Sequence, residues 1–395
     1  MGNDEVWVGS QGEAWETPRV ILPWTHWFWW VPVIFIGACV GSFLNVVIYR
    51  VPLGMSVNEP KRSFCPGCQK EIPWTRNLPL FTWLWQRGKC AECGMNIPSR
   101  YFWVELLTTL LWAASWYFFG QRGMPGEALL MILLVTMLII ISFIDAEHYI
   151  IPVAMTWVTS ALAVLGAIVF PRLVQLSGVG QVWPTGWGEA LLGFAAGYAI
   201  LQLVVWGGKL AFGKQNFSFE KPVAWELREP EDEDPNGQLC FVLDGEAFEW
   251  GDMFYRKTDR LNITGNDFIL DGEKVPGSEM TIRAETVEIG ERTWRIEEMV
   301  SLSGRATGVV RPREAMGGGD PPLLAMIGAF LGWPAVVFSL FCSSLYALVA
   351  SLLLRVGFGR PLPFGPFLAL AGLTWAFGGW KIWVWYMGLI LGQSA

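Results

Sequence analysis

The stretch Trp27-Phe-Trp-Trp-Val-Pro-Val-Ile-Phe-Ile-Gly-Ala-Cys-Val-Gly-Ser-Phe-Leu-Asn-Val-Val-Ile-Tyr49 contains no charged residue, and Arg50 closes it. At helical rise it reaches about 30 Å, the depth of a bilayer's hydrocarbon core. The segment before it, 1–26, is polar and acidic, with Arg19 as its one basic residue. It lacks the basic n-region and small-residue cleavage site of a signal peptide. The run therefore reads as a permanent membrane span.

Similar runs recur along the chain. Tyr101 to Phe119 is apolar except for Glu105 near its start, and Leu129–Ile144, Ile151–Phe170 and Ala190–Phe212 follow. After a long polar block come Leu323–Trp333, Ala335–Leu354 and Phe364–Trp380. The first of these three is short for a full crossing and is expected to be a half-buried helix closed by Gly332-Trp333-Pro334. The expected fold class is an all-α polytopic membrane protein with about eight transmembrane helices. Composition agrees: 53% of the 395 residues are hydrophobic and 16% charged, with a mean hydropathy of +0.38. Soluble domains carry roughly 25% charge. Disordered, collagen-like and basic nucleic-acid-binding classes are excluded. The 24 Trp residues suit anchoring at the two membrane surfaces.

Charge divides the chain. Residues 220–314 hold 22 acidic and 12 basic residues, a net −10, while the remainder holds 16 basic and 13 acidic, a net +3. The expected organisation is an extracytoplasmic segment 1–26, a first span 27–50, a cytoplasmic loop 51–100, spans two to five in 101–213, an inserted acidic domain 214–312, and the last three spans in 313–395. Orientation follows from basic residues in short loops. Residues 50–100 hold eight, and Arg355 and Arg360 lie between the last two spans. Those loops and the acidic block are expected in the cytoplasm, with the N-terminus outside.

Within the basic loop, Cys65-Pro-Gly-Cys68 and Cys90-Ala-Glu-Cys93 form two CxxC knuckles. Four thiolates complete a tetrahedral Zn²⁺ site with no open position, which is a structural site. Paired disulfides or free thiols are the other reading, and a reducing cytoplasm disfavours the first of these.

Two aspartates stand at span edges. Asp145 ends the third span and is followed by Glu147 and His148; Asp320 closes Gly317-Gly-Gly-Asp320 ahead of Pro321-Pro322. Each has an ordinary explanation. Asp145 suits a helix end among headgroups, and Asp320 suits a helix cap followed by Pro at N1. Together, at one rim of a bundle, they suit a pair of close carboxylates sharing a proton, one serving as base toward water and the other as acid toward a scissile carbonyl.

The order of these motifs resembles the bacterial type IV prepilin peptidases, a GxGD family of membrane aspartic peptidases. The resemblance rests on Gly41-Ser-Phe-Leu-Asn-Val-Val-Ile-Tyr-Arg50, the double CxxC followed by Arg100-Tyr and Glu105, Ile144-Asp145-Ala-Glu-His-Tyr-Ile-Ile-Pro152, Gly317-Gly-Gly-Asp320 with Gly328-Ala-Phe-Leu-Gly-Trp333, and Pro363-Phe-Gly-Pro-Phe-Leu-Ala369. It covers about three quarters of the chain. It implies catalysis by Asp145 and Asp320, with Gly317, Gly319 and Glu147 supporting the loop or the substrate. Substrates would be prepilins and pseudopilins, which have short basic leaders ending in Gly, and cleavage would follow that Gly on the cytoplasmic face of the bacterial inner membrane. Bifunctional members then methylate the new N-terminus with S-adenosylmethionine, and the Cys₄ element is typical of them. The chain departs from the family at Pro322, usually Lys, and at Val153, usually Asp or Asn. A different class remains open at this point: a non-catalytic, zinc-containing membrane scaffold or assembly factor of a pilus or secretion machine. Neither reading involves nucleic acid.

The acidic block alternates apolar and polar residues at Gln238–Leu243, Asp267–Leu270, Thr281–Ile289 and Thr293–Glu297, with Asn-Gly, Asp-Gly and Ile-Gly between runs. Period-two alternation with such punctuation predicts short antiparallel strands in a small cytoplasmic β-rich domain. Glu231-Asp-Glu-Asp-Pro-Asn-Gly237 reads as an exposed linker. Docking of a partner, or control of access to the site, is a hypothesis for this domain that the sequence itself does not decide.

Overall fold

A computed structural model describes residues 26–59, 63–65, 67–73, 76–178, 182, 185–212, 214–228, 239–254, 259–312, 317–355 and 362–390. Most of the N-terminal segment, 1–25, and the linker 231–237 lie outside them. In chain order, the first helices are α1 (Trp30–Arg50), α2 (Phe81–Trp85), α3 (Arg100–Phe118), α4 (Pro125–His148), α5 (Val153–Val169) and α6 (Gly186–Phe212). Strands β1 (Lys214–Arg228), β2 (Cys240–Leu243) and β3 (Glu246–Glu249) precede a short helix, α7 (Trp250–Met253). Next come β4 (Leu261–Leu270), β5 (Glu273–Val275), β6 (Glu279–Ile282), β7 (Thr286–Ile289), β8 (Arg292–Arg295) and β9 (Leu302–Pro312). The chain finishes with α8 (Asp320–Leu331), α9 (Trp333–Leu353), α10 (Gly365–Thr374) and α11 (Trp380–Ile390). It divides into two compact units, Met1–Leu201 with Gly319–Ala395, and Gln202–Gly318.

The first unit is helical. Among the described residues six helices are long and apolar enough to cross a membrane: Trp27–Arg50, Arg100–Arg122, Pro125–His148, Gly186–Gly208, Trp333–Leu353 and Gly365–Ile390. The last of these continues from α10 into α11 through a wider π turn at Trp375–Gly379, with Gly378 at φ +141°, so it runs ten residues beyond the expected end at Trp380. Two apolar helices, α5 and α8, fall short of that length.

The short α8 is not half-buried as expected from its length. Every one of its 12 residues is buried. The reason is close helix packing through small residues. A Cβ on Gly193 of α6 would lie 2.1 Å from the Gly328 carbonyl oxygen, and one on Gly197 2.6 Å from that of Leu324. Its ends are placed by α5. Gly319, just before α8, abuts Ile151 ahead of α5, while Gly332, just after α8, abuts the Val174 carbonyl beyond α5. Gly332 adopts φ +82°, which ends α8 and lets Trp333-Pro334 start α9. Asp320 falls one residue inside the helix, with Gly319 in the cap position and both prolines in the first turn.

The second unit is one antiparallel sheet ordered β3-β2-β1-β9-β4-β6-β7-β8, with β5 added to β4. Its inward side chains, among them Trp225, Phe241, Met253, Ile263, Phe268 and Val287, form a separate core. Asp244-Gly245 and Asp271-Gly272 take left-handed φ values of +52°, +84° and +50°, +85°, making two-residue hairpins between β2 and β3 and between β4 and β5.

Strands β1 and β9, neighbours in the sheet, are absent from the sequence expectation. Pro222 interrupts β1 and argues against a strand. The fold places it in a register irregularity between Ser218 and Val223. In β9 the buried positions move from even, Leu302 and Ala306, to odd, Val309, because the pairing to both neighbours shifts between Ala306 and Gly308. A bulge of this kind hides the period-two signal.

Candidate active site and metal centre

Asp145 occupies the last turn of α4, a helix whose apolar residues from Leu134 to Ile144 are largely buried. Tyr149, in the left-handed region, stops the helix four residues later, and its N–H caps the Asp145 carbonyl. The carboxylate is 5% exposed. Its Oδ2 accepts the Gly365 backbone N–H at 2.9 Å. Gly365 opens α10, so the amide at a helix N-terminus, with its partial positive charge, faces the carboxylate. Any larger residue there would put a Cβ 2.7 Å from Oδ2. Gly365 lies within the last of the motifs that carry the family resemblance, which gives it no task of its own. Its signal was the Gly-Pro helix start that leaves an N–H unpaired within α10.

Asp320, 4% exposed, opens α8. The contact of Gly319 with Ile151, six residues beyond Asp145, brings the starts of α8 and α5 and the end of α4 to one end of the helical unit. Packing of α4 against both α8 and α10 completes this corner. Two nearly inaccessible carboxylates thus stand at helix ends within one unit. Of the two loop glycines singled out in the sequence, Gly319 is required by close approach, whereas Gly317 is exposed. Glu147 is engaged by the Arg100 guanidinium at the start of α3, which ties α3 to the end of α4. Asn45 of α1 donates from Nδ2 to the Tyr101 carbonyl at 3.2 Å, so this polar residue of the first motif acts as an interhelical tie.

The four cysteines converge. All four sulfurs lie within 4.8 Å of one another, and Cys65 Sγ and Cys93 Sγ are 3.7 Å apart. Thiolates about 2.3 Å from a tetrahedral zinc ion lie about 3.8 Å from one another. A disulfide needs about 2.05 Å. Each knuckle is a tight turn closed by an antiparallel bridge, Phe64 with Glu71 and Lys89 with Asn96. The Cys93 and Glu92 amides hold the Cys90 thiol down, at about 6. At Cys93 the Met95 amide also favours the thiolate, but burial and the three crowding thiols leave it pushed up to about 11. Four thiolates at this spacing repel one another unless a cation sits between them, so the donor set fits a metal ion. Glu92 bridges the knuckles through Lys70 at 3.0 Å and Arg76 at 2.7 Å, and these cations hold its carboxyl below the usual range.

The Bacterial Peptidase A24 N-terminal domain matches residues 35–119, which hold the four cysteines, and the Type IV leader peptidase family matches residues 299–352, which hold Asp320. Asp145 lies between the two matched stretches. Three relatives carry the name prepilin leader peptidase/N-methyltransferase. That of Aeromonas hydrophila is 27% identical over 390 residues, covering 91% of this chain and 94% of its own. That of Klebsiella pneumoniae is 33% identical over 203 residues, covering 49% of this chain and 80% of its own. That of Myxococcus xanthus is 38% identical over 183 residues, about half of each chain. No solved structure matches the chain. With the cysteine cluster, the buried aspartates and these relatives in agreement, the chain belongs to the prepilin leader peptidase/N-methyltransferase family.

Proposed function

We propose that this protein is a membrane aspartic endopeptidase that removes the leader of type IV prepilins and pseudopilins, cutting after Gly at the cytoplasmic face, with Asp145 and Asp320 as the catalytic pair. The observation that carries this reading is the burial of both carboxylates at one end of the helical unit, where Asp145 is aimed by the Gly365 amide. A buried carboxylate at a helix edge is costly and is kept for use. One carboxylate takes a proton from water as the oxygen attacks the scissile carbonyl. The other, protonated, gives its proton to the carbonyl oxygen. Collapse of the tetrahedral intermediate breaks the C–N bond: the departing amine takes up the proton that came from water, and one hydroxyl of the intermediate returns its proton to the second carboxylate.

The same reading gives eight membrane segments: the six long helices plus α5 and the enclosed α8. The N-terminus lies outside the bacterial inner membrane, and the metal-binding loop and β-sheet unit lie in the cytoplasm. The four cysteines hold one structural Zn²⁺, which takes no part in the chemistry. The methyltransferase half of the relatives' names extends to this chain as N-methylation of the new N-terminus, for which S-adenosylmethionine supplies the methyl group when bound. Among the described residues no glycine-rich strand-to-helix turn of the nucleotide-binding kind is present, so no residue is assigned to that cofactor.

The test is incubation of the purified chain with a synthetic prepilin and S-adenosylmethionine, read by product mass. The expected products are the free leader and a mature chain heavier by one methyl group. Full cleavage by Asp145→Asn or by Asp320→Asn would defeat the catalytic pair, and an uncut prepilin with the unaltered chain would defeat the peptidase reading.

A further inference from the structure

We infer that α2 is a membrane-interface anchor: Phe81, Leu84 and Trp85 insert at the lipid headgroup boundary beside α3 and hold the metal-binding loop on the bilayer surface. This rests on α1 and α3 crossing the membrane and is independent of the peptidase chemistry.

The helix turns its large residues two ways. Trp83 packs on Phe102 of α3, ring centroids 5.3 Å apart, and its indole N–H donates to the Ile97 carbonyl. Phe81 and Trp85 lie one turn apart on the opposite side, stacked at 5.8 Å. They are 61% and 78% exposed, and Leu84 is 57% exposed. A five-residue helix that presents two aromatic rings and a leucine outward has no reason to do so in water.

The depth of α2 is set by α3. The Leu80 N–H donates to Glu105 Oε2 at 2.6 Å, and Glu105 lies about 7.5 Å along the helix axis from Arg100. The helical stretch Arg100–Arg122 is about 34 Å long, more than the roughly 30 Å hydrocarbon core. The start of α2 therefore sits level with the membrane boundary. The neighbouring outer face of α3, Trp103, Leu107 and Leu110, is also exposed and apolar, as a lipid-facing surface must be. Arg87 and Lys89 follow α2 and are exposed. Aromatic rings flanked by cations suit an anionic lipid surface. The same cations repel the basic leader of a prepilin, which sets the lipid surface apart from the substrate as occupant.

The test uses the full chain in vesicles of phosphatidylethanolamine and phosphatidylglycerol, with a photocrosslinking benzoylphenylalanine placed separately at Phe81, Trp85 and, as a mid-span reference, Leu110. Metal content equal to that of the unaltered chain certifies each variant as folded. Lipid adducts at Phe81 and Trp85 within about threefold of the Leu110 yield are expected. Adducts at background level at both α2 positions, or adducts only to a second copy or to added prepilin, with Leu110 still labelled by lipid, would overturn the anchor. Loss of lipid adducts at all three positions would overturn the membrane placement of α3 and the anchor with it.

Discussion

The metal centre and the aspartate site are built on opposite plans. The four cysteines come from two knuckles 21 residues apart, and each knuckle closes on itself with local backbone hydrogen bonds. The aspartate corner depends on distant helices: the Gly365 amide that faces Asp145 lies 220 residues from it, and Asp320 opens α8, which packs against α4. The first is a local device that a cation would complete. The second exists only when α4, α8 and α10 are all seated. Damage to the first should stay in the loop, whereas damage to the second should remove chemistry and spare the fold.

The largest effect is expected at the metal. Binding of structural zinc is worth on the order of 10 kcal/mol or more. Cys90→Ala should reduce zinc from one ion per chain to none and open residues 63–99 to protease, measured by metal analysis and limited proteolysis. Zinc retained at full stoichiometry would break the Cys₄ assignment. Next come Asp145→Asn and Asp320→Asn, each expected to slow cleavage by about 10²–10⁴-fold with unchanged zinc content. A metal loss in either variant would show that the two sites are not separable.

A smaller effect is expected at Gly365→Ala. The added Cβ crowds Asp145 and weakens a hydrogen bond to a charged acceptor, worth about 1.5–3 kcal/mol. Cleavage should fall by roughly 10- to 100-fold, read as turnover at saturating prepilin. Unchanged turnover would mean that α10 does not position Asp145. The smallest effect is expected at Glu92→Gln. Its ion pairs are exposed, so zinc release to a chelator should speed up by no more than about twofold. A large acceleration would give the knuckle bridge a weight that surface pairs rarely have.

How far each site was legible follows from the same contrast. Two CxxC pairs announce a metal because the ligands are neighbours in the chain. Asp145 and Asp320 stood out as charges at the edges of apolar runs and through family resemblance, since their spacing in the chain carries no information about their separation in space. The Arg100 tie to Glu147 and the Gly365 amide were out of reach because both join distant helices. Alternation made β2, the end of β4 and β8 readable, whereas the single run read at 281–289 is divided between β6 and β7, which pair antiparallel. In β1 and β9 the proline and the shift in pairing erased the alternation.

By itself the sequence determined the apolarity of the long helices, the four-thiol cluster and the existence of an acidic β-rich insertion, because each depends on residues close together in the chain. Tertiary structure alone decided that the 12-residue α8 is wholly enclosed, that an amide from α10 faces Asp145, and that β1 and β9 pair irregularly. Those outcomes depend on which backbones approach within van der Waals contact. Glycines at Gly193, Gly328 and Gly365 permit such approach, but only the assembled helices specify it.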